Sequence, residues 1–561
     1  MQKNILIIGG VAAGMKTAAR LRRRDKSANI VVIERGPEVS YGACGFPYYI
    51  GDMVKNFAAF DSGPHGKRDE DFFAKVKGVK VLTRHLATKI NRKEKNVNVT
   101  DLASKEEKIF PYDKLILATG STPTKLNVPG ADLPGVHSFW FPWDVLAVKE
   151  ELTKYHVKDV AIVGAGLIGM ELAENFRHIG LNVHLIELQE QILPQMLDKE
   201  LSDWMLLQLK NSGINFHLGE KTLGILGKDR VEAIQTDKNI FPVQMVIVAV
   251  GVQPNTELAK DAGLALGVKN TIQVNAHMQT SDPDIFAAGD CAENTNLVNG
   301  AKVFAPMGST ANKHGRVIAD FLAGDNVQFP GVLQTGICQI MNLQAGSTGL
   351  NLRTAAEDMD VISVTVPGFD RLGYMPGANR IILKLFADRK THRVIGAQAV
   401  STGGVDKRLD TLAIALTKSM TLEELSNIDV AYAPPFNMPI DNIATAANVL
   451  LNKIEGRLRG ISAPQWQKLK TDPGYTLVDV RTPAEYKARR IAGCANIVNI
   501  PLTEIREKAA SILTDKKQKY VTSCLIDLRG YEAEVMLRGM GYDVYSLEGG
   551  MSAWPYETEQ G

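Results

Sequence analysis

The sequence predicts a multidomain α/β protein, and three observations carry that prediction. Strand–glycine turn–helix–strand units occur at residues 4–34 and again at residues 159–187. Residues 330–450 change to short β-runs followed by helices, and βα alternation restarts after residue 464. With 561 residues and roughly 150 residues per domain, about four domains are expected. Hydrophobic residues make up 45% and charged residues 22% of the chain, which excludes a disordered or fibrous protein.

The charge balance and hydropathy exclude some kinds of binding partner. There are 64 Lys and Arg against 62 Asp and Glu, so no overall field attracts nucleic acid or a membrane surface. No apolar run approaches the ~20 residues that span a bilayer. The chain enters a strand directly after MQK, which leaves no room for a signal peptide. We therefore expect a cytoplasmic protein with neither nucleic-acid nor membrane partners.

Both glycine-turn units fit dinucleotide binding. Their glycines permit a tight turn and a close approach to pyrophosphate, which rests on the helix N-terminus, and a terminal acid accepts from a ribose hydroxyl. The second unit has the full glycine pattern, whereas the first has Val11 at the middle position. The pattern residues are Gly9, Gly14 and Glu34, then Gly164, Gly166, Gly169 and Glu187. Two complete units predict two different dinucleotides, a flavin and a nicotinamide.

The remaining polar signals lie at strand ends and at cysteines. YDKLILATG ends at Thr119 and Gly120, and DIFAAGD ends at Gly289 and Asp290. Five cysteines are scattered along the chain without a C-x-x-C pair or a histidine at ligand spacing. Neither a disulfide framework nor a zinc site is predicted, and no metal is expected.

These motifs resemble the flavin-dependent pyridine nucleotide–disulfide oxidoreductases, in the branch with a single redox cysteine. The branch has the loop S-[FY]-x-x-C-G-x-P-Y, which matches residues 40–48 here. The resemblance is closest to coenzyme A disulfide reductases and NADH-dependent persulfide or polysulfide reductases with a C-terminal rhodanese domain. It runs from residue 2 to about residue 555, with the glycine units, ATG, AAGD, AYAPPF and rhodanese signatures in the family's order.

The resemblance implies four domains in a homodimer and assigns the cofactor residues. The implied ranges are 1–112 with 247–326 for FAD, 113–246 for NAD, 327–451 for an α+β dimerisation domain, 452–464 for a linker and 465–561 for an α/β rhodanese domain. FAD is implied at Gly9, Gly10, Gly14, Glu34, Arg35, Thr119, Gly120, Gly289 and Asp290, and NAD at Gly164, Gly166, Gly169 and Glu187. Because a carboxylate at Glu187 repels a 2′-phosphate, NADH is expected over NADPH.

Cys44 is the predicted redox centre, with a small buried hydrophobe as the alternative. Gly42, Gly45 and Pro47 indicate a tight turn, and Tyr49 stands where two-cysteine relatives carry their second cysteine. Cys44 must then pair with an arriving small thiol, sulfane sulfur or oxygen. The resemblance implies that Tyr432 and Tyr374 reach this cysteine from the partner subunit and protonate a leaving thiolate. The alternative for both tyrosines is packing at an interface.

The helix after Gly14 carries a basic stripe. Lys16, Arg20, Arg23 and Arg24 share one face by their spacing, and the alternative is an ordinary solvated face. The resemblance implies that Lys16, Arg20 and Arg23 contact coenzyme A phosphates, with Ser40 and Ala43 nearer the disulfide. Ala43 and Ile440 depart from the polar residues common in the family, so coenzyme A is expected as a ligand or prosthetic thiol more firmly than its disulfide as substrate.

The C-terminal region resembles a single rhodanese domain. Its nucleophile would be Cys524 in CLIDLRG, with Arg529 closing a loop whose backbone N–H groups face the sulfur. Asp527 stands where the family usually has Gly, which keeps a non-catalytic docking module open as an alternative. Cys494 is expected in the core.

The leading hypothesis is an NADH-dependent flavoenzyme that reduces persulfides, polysulfides and coenzyme A disulfide. The alternatives are an NADH oxidase or peroxidase using a cysteine sulfenate, or a reductase with an inert rhodanese domain. As a tether, residues 452–464 would extend ~43 Å, so we expect the rhodanese domain to act as a carrier arm.

Overall fold

A computed structural model describes residues 2–64, 66–355, 357 and 359–561 of the chain. The chain forms two compact units. One comprises residues up to 188 together with 214–332, and the other comprises 189–213 together with 333–561. The α/β fold class is confirmed. No helix within the described ranges is long and apolar enough to cross a membrane.

The first unit contains two parallel five-stranded sheets, each built around one glycine-turn unit. The first sheet has the order Ile285–Ala287, Lys114–Leu117, Asn4–Ile8, Asn29–Ile33, Lys80–Leu82. The second has the order Val136–Ser138, Met245–Val248, Asp159–Val163, Asn182–Glu187, Ile214–Leu218. The principal helices are Ala12–Arg24, Pro142–Lys154, Leu167–His178 and Gly308–Leu322. The central strands of both sheets are almost fully buried, as parallel sheets covered on both faces require, whereas edge strands such as Val136–Ser138 are only half-buried.

Short antiparallel sheets and turns complete the first unit. The sheets are His85–Asn91, Asn96–Asp101 and Glu107–Pro111; Thr222–Leu226, Ala233–Thr236 and Ile240–Pro242; Ser121–Pro123 and Val252–Pro254; Ser62–Gly63 and Gly66–Lys67; and Asn294–Thr295 and Lys302–Val303. The short helical segments are Ala43–Gly45, Phe46–Ile50, Phe57–Phe60, Glu70–Phe72, Phe73–Lys77, Glu257–Asp261, Val268–Asn270 and Gly289–Cys291.

The second unit combines an antiparallel sheet with a smaller parallel one. The antiparallel order is Gly336–Ile340, Leu343–Gly349, Val394–Ser401, Arg380–Asp388, Val361–Phe369. The parallel order is Gly460–Ile461, Asp543–Leu547, Lys519–Ser523, Tyr475–Asp479, Ile497–Asn499. A two-stranded sheet joins Arg490–Ile491 to Thr558–Glu559. The helical segments are Lys199–Leu209, Val405–Thr417, Leu422–Ser426, Asn442–Ile454, Ala463–Leu469, Pro483–Ala488, Leu502–Glu504, Ile505–Ile512, Leu528–Gly539 and Gly550–Ala553.

Two details depart from the expected domain ranges. Strand Lys114–Leu117 pairs with Ile5–Ile8 in the first sheet, although 113–246 was the range expected for the NAD domain. Residues 189–213, from the same range, belong to the second compact unit. There Asp198 and Glu200 form ion pairs with Lys384, with N–O distances of 2.8 Å each.

Residues 452–464, the expected linker, are built into the second unit. The helix Asn442–Ile454 reaches into this range, Gly460–Ile461 is a strand of the parallel sheet, and a helix begins at Ala463. Arg459 forms an ion pair with Asp543 at 2.6 Å. A turn-rich, charged sequence predicted a linker, but Lys453 and Arg459 have fixed partners, so these residues do not form a fully extended tether.

Candidate active site

The backbone of the first glycine turn is packed so closely that two of its positions leave no room for a side chain. A Cβ on Gly9 would stand 2.0 Å from the carbonyl oxygen of Ala118, and one on Gly14 would stand 1.9 Å from that of Gly9. Gly9 also has φ of +109°, a conformation that glycine adopts without strain. The tight turn therefore needs both glycines. It brings the strand Asn4–Ile8 directly into the helix Ala12–Arg24.

Glu34 organises the backbone beside this turn. Its carboxylate accepts hydrogen bonds from the N–H groups of Gly10 at 2.7 Å and Gly36 at 2.6 Å. The neighbouring Arg35 is exposed and lies 5.3 Å above the ring of Phe141. A carboxylate fixed at the end of the second strand is placed as a ribose-binding acid should be.

The second glycine turn repeats this geometry and adds an open position. A Cβ on Gly169 would stand 1.9 Å from the oxygen of Gly164. At Gly166, which precedes the helix Leu167–His178, no heavy atom of the described residues lies within 4 Å of a Cβ position. Glu187 accepts from the N–H of Ala165 at 2.8 Å. Open space at a helix N-terminus suits a dinucleotide pyrophosphate, so these residues fit the expected nicotinamide cofactor.

Thr119 and Asp290 are each held by a different residue that the motifs did not predict. The hydroxyl of Thr119 donates to the carbonyl of Asn255 at 2.6 Å, and the amide of Asn255 donates back to the Thr119 carbonyl at 2.9 Å. Ser121 donates to the carboxylate of Asp290 at 2.6 Å. Burial raises the pKa of Asp290. Gly120, with φ of +68°, faces open space, so this cluster fits a flavin with a polar chain.

A buried histidine holds the neighbouring glycine. His314, on the helix Gly308–Leu322, accepts at Nδ1 from the N–H of Gly289 at 3.2 Å, and its Nε2 lies 3.1 Å from Asn294 Oδ1. Burial lowers the pKa of His314 to about 3, with Lys313 acting in the same direction. The imidazole is therefore neutral, as an acceptor at Nδ1 requires. In the sequence, His314 is a single histidine in a helix without a motif, so nothing there predicted this role.

Cys44 lies in a tight, aromatic-lined turn. The N–H of Gly42 donates to the carbonyl of Phe60 at 2.9 Å, and a Cβ on Gly45 would stand 2.3 Å from the Phe60 ring. Ser40, with φ of +56°, donates from its N–H to the carbonyl of Gly10 at 2.9 Å. The cysteine turn is thus bonded directly to the first glycine turn. Cys44 itself is exposed, in contrast to the buried hydrophobe that was the alternative.

Glu171 acts on Cys44 electrostatically. Loss of hydration is the first cause that raises the pKa of the Cys44 thiol, although the residue is exposed overall, and the charge of Glu171 is the second. Burial raises the pKa of Glu171 itself to about 7, with Glu174 adding to the rise. Near neutral pH, the ionisation of Glu171 therefore disfavours a Cys44 thiolate. In the sequence, the motif GLIGMELAE places Glu171 on a helix but does not indicate that it acts on Cys44.

The basic helix face is divided in two by its neighbours. Arg20 forms a two-point ion pair with Asp320, with distances of 2.7 Å from Nε and 3.1 Å from Nη2. Arg24 is paired with Asp325 at 2.6 Å. Lys16 and Arg23 are exposed. Lys16 and Arg23 therefore present the more available charges of the stripe, and Arg20 has its guanidinium partly committed within the fold.

The two predicted interface tyrosines lie on the surface of the second unit. Tyr374 is 74% exposed and Tyr432 is 50% exposed. Phe436 and Ile440, close to Tyr432 in the chain, are 70% and 63% exposed. Such a run of exposed apolar side chains is typical of a surface that another chain covers.

Ala43, which was expected near the disulfide of coenzyme A, lies in the Cys44 turn itself.

The C-terminal loop forms the predicted sulfur cradle. Cys524 is fully buried, and the N–H groups of Ile526 and Gly530 hydrogen-bond to its sulfur and lower its pKa, as the charge of Arg529 does. Burial is the larger effect and raises the pKa of the thiol overall. Arg529 is held by Glu485 through two hydrogen bonds of 3.0 and 2.8 Å, and Arg529 lowers the pKa of Glu485 to about 2. Cys494 is only half-buried.

Comparisons with known proteins agree with this geometry. Residues 3–305 match the pyridine nucleotide-disulphide oxidoreductase model, residues 336–442 its dimerisation domain and residues 462–556 a rhodanese-like domain. The chain belongs to the pyridine nucleotide-disulphide oxidoreductases. It is an oxidoreductase of the class that uses flavin and nicotinamide cofactors.

Three similar proteins show the range of the family. The NAD(P)H sulfur oxidoreductase (CoA-dependent) of Pyrococcus furiosus is 36% identical over 453 residues, which are 80% of this chain and 99% of that protein. A NAD-dependent persulfide reductase from A. fulgidus has a solved structure with a TM-score of 0.93 and 37% identity, covering 98% of this chain and 100% of that one. Reduced CoADR-RHD from Bacillus anthracis gives a TM-score of 0.92 and 30% identity, covering 99% and 98%.

Proposed function

We propose that this protein is an NADH-dependent FAD enzyme that reduces persulfides, polysulfides and coenzyme A disulfide at Cys44, with Cys524 carrying sulfane sulfur. The observation that carries the proposal is the hydrogen bond of 2.9 Å from Ser40 N–H to the Gly10 carbonyl. It joins the exposed cysteine turn to the turn that fits a flavin dinucleotide. A redox cysteine is useful only where electrons reach it.

The residues of the first unit divide the cofactors between them. Glu34, Asp290 and the bonded pair of Thr119 and Asn255 would hold FAD. Glu187 and the open Gly166 position would hold the nicotinamide dinucleotide. When bound, the flavin supplies two electrons taken from NADH. The carboxylate of Glu187 supports NADH over NADPH, because a second phosphate beside it would be repelled.

The chemistry at Cys44 is thiol–disulfide exchange. The thiolate attacks one sulfur of the substrate disulfide, a mixed disulfide forms, and the first thiol leaves. Two electrons then cleave the mixed disulfide and release the second thiol, so that one disulfide becomes two thiols. For a persulfide, the products are a thiol and hydrosulfide. Tyr432 and Tyr374 are proposed to supply protons to the leaving sulfur from the partner subunit of a homodimer.

Coenzyme A is proposed as a ligand of the basic helix face. The exposed charges of Lys16 and Arg23 suit the phosphates, and Ser40 and Ala43 belong to the segment that leads into the cysteine turn. Arg20 is expected to contribute less, since Asp320 already occupies two of its donors.

A side-by-side assay tests the proposal. NADH oxidation is measured with coenzyme A disulfide, a small persulfide, inorganic polysulfide, hydrogen peroxide and oxygen as separate acceptors. Faster turnover with the sulfur substrates supports the proposal. Faster turnover with oxygen or peroxide would favour the oxidase or peroxidase alternative.

A further inference from the structure

Asp527 occupies a special backbone position in the sulfur-carrying loop. Its φ is +73°, in the left-handed region that glycine adopts freely and that Asp tolerates better than most residues. It directly precedes the helix Leu528–Gly539. The left-handed backbone explains why glycine suits this position. It does not explain what a carboxyl group does there.

The carboxyl begins a chain of hydroxyl groups that leads to Gly530. Asp527 Oδ1 lies 2.5 Å from Ser546 Oγ, and Ser546 Oγ lies 3.3 Å from Thr522 Oγ1. Thr522 Oγ1 lies 2.8 Å from the carbonyl oxygen of Gly530 and 3.1 Å from that of Tyr545. Ser546 and Thr522 are fully buried. This series of hydrogen bonds therefore ends at Gly530, the residue whose N–H faces the Cys524 sulfur.

Counting protons shows which form of Asp527 completes this chain. Each hydroxyl has one hydrogen to donate, and that of Thr522 goes to a carbonyl oxygen. If Asp527 is ionised, Ser546 must donate to it, and Thr522 Oγ1 receives nothing from Ser546. If Asp527 is protonated, it donates to Ser546, which in turn donates to Thr522. Only the protonated form gives a donor to every link.

The relay, defined as the hydrogen-bonded series Asp527–Ser546–Thr522–Gly530, packs against the backbone of Cys524 at Gly530. A Cβ on Gly530 would stand 2.9 Å from Asp527 Oδ1, 3.0 Å from Ser546 Oγ and 3.7 Å from the backbone nitrogen of Cys524. The relay and the cysteine backbone therefore meet at one residue without a side chain. A change of charge or of hydrogen-bond direction in the relay is transmitted to the residue that faces the sulfur.

The charged groups around Asp527 favour its protonated form. Loss of hydration is the main cause that raises the pKa of Asp527 to about 8, although the residue as a whole is partly exposed. Glu548, from the turn after the last long strand, and Glu534, from the following helix, raise it further. The Ser546 hydrogen bond and Lys453, from the helix Asn442–Ile454, oppose the rise. Within the loop, an ionised Asp527 raises the pKa of Cys524, whereas Arg529 lowers it.

We infer that Asp527 is a positioning residue that works as a neutral acid, holding Gly530 through Ser546 and Thr522 so that its N–H stabilises sulfur on Cys524. Ionisation of Asp527 turns the Ser546 hydroxyl toward the carboxylate, removes the Ser546–Thr522 hydrogen bond and adds a negative charge beside the thiolate. The inference rests on the proposed role of Cys524 as a sulfur carrier. It assigns an active function to the residue that had suggested an inert docking domain.

The test is the pH profile of sulfur transfer by the full chain, with thiosulfate as donor and cyanide as acceptor. The outer sulfur of thiosulfate moves to Cys524 as sulfite leaves, and cyanide then takes that sulfur as thiocyanate, so no external electrons are needed. Wild type, D527N, D527G and the matched surface variant E532Q are compared between pH 6.5 and 9.5. The E532Q change lies on the same helix at an exposed position. Ratios between proteins cancel the titration of cyanide.

We expect the activity of wild type and E532Q relative to D527N to fall above about pH 8, the pKa of Asp527, because the Asn amide stays neutral and still donates to Ser546. This ratio should fall about three- to tenfold between pH 7 and pH 9.5. D527G lacks the donor and should be less active than wild type at pH 7. A ratio that stays constant across this range would overturn the inference. So would a folded D527G as active as wild type at pH 7, or a folded D527N that is inactive there, with folding verified by thermal melting. Absence of any transfer in wild type would instead refute the carrier role itself, and C524S gives the blank for that comparison.

Discussion

Lys453 and Glu548 form an ion pair that joins the last helix of the dimerisation domain to the turn beside the sulfur-carrying loop. Glu548 is buried, and Lys453 also donates to the carbonyl of Ser363 at 2.9 Å. Arg380 hydrogen-bonds to Ser552 in the short helix Gly550–Ala553 that follows this turn. The N–H of Met551 donates in turn to the carbonyl of Cys524 at 2.9 Å. The rhodanese-like domain is therefore packed onto the dimerisation domain in a defined position.

Cys44→Ser should retain flavin and its reduction by NADH while losing persulfide and disulfide turnover. Hydride transfer to flavin needs no sulfur, whereas the second half-reaction needs a thiolate. Stopped-flow absorbance of flavin bleaching and steady-state NADH oxidation measure the two halves separately. Cys494→Ser is the matched control, since that thiol is half-buried in the C-terminal domain. Turnover of Cys44→Ser at a rate near wild type would refute the redox role.

Glu171→Gln should lower the pKa of Cys44. The carboxylate raises that pKa, and Glu171 is itself ionised above its own pKa of about 7. At pH 8, the reduced holoenzyme should therefore be alkylated by iodoacetamide about two- to fivefold faster in the variant, since thiolate is the reacting form. Mass spectrometry of the Cys44 peptide gives the rate. Glu150→Gln, an exposed change, should match wild type, and equal rates in all three proteins would count against this coupling.

His314→Gln should flatten the pH dependence of stability in the acid range. The folded pKa of about 3 lies below the ordinary 6.5, so protonation favours the unfolded chain. Stability from this residue is present above pH 6.5 and is lost as pH falls toward 3. Between pH 7 and pH 5, wild type should lose about 2 kcal/mol more than the variant in free energy of unfolding. Urea titrations at the two pH values measure it, and identical losses would show that His314 is not buried neutral.

Cys524→Ser should spare reduction of coenzyme A disulfide and small persulfides but abolish persulfide formation on the C-terminal domain. Small substrates reach Cys44 by diffusion, whereas only Cys524 lies in the cradle of Ile526 and Gly530 N–H groups. NADH oxidation reports the first activity and intact-mass detection of a 524 persulfide after thiosulfate treatment reports the second. Equal loss of both would mean that sulfur must pass through Cys524 on its way to reduction.

The active protein should be a homodimer in which Tyr432 serves the partner's cysteine turn. Its 50% exposure, beside Phe436 at 70%, leaves an apolar surface for another chain to cover. Light scattering should give a dimer. Mixed dimers of Cys44→Ser and Tyr432→Phe subunits should contain one intact site and regain up to about half of the wild-type activity per dimer. A fully active monomer would contradict both the interface and the shared site.

Local sequence patterns were sufficient for the two dinucleotide turns. Gly9, Gly14, Gly164 and Gly169 are required because a Cβ at each would overlap backbone atoms of the chain, and that constraint acts over a few residues. The acids Glu34 and Glu187 follow at the ends of adjacent strands, where parallel pairing brings them to the turns. The turn around Cys44 could also be predicted from the sequence, because glycine and proline around a cysteine indicate a turn.

Long-range packing decided the rest, since it joins residues whose separation in sequence carries no pattern. Arg20 and Asp320 meet across 300 positions, which turns one member of a basic stripe into an ion-pair partner. His314 and Asn255 reach the flavin-type cluster from helices and loops without motifs. Residues 452–464 resembled a linker because their charged partners, such as Asp543 and Glu548, are distant in the chain. The meaning of Asp527 likewise depends on Ser546 and Thr522, which only the folded sheet places beside it.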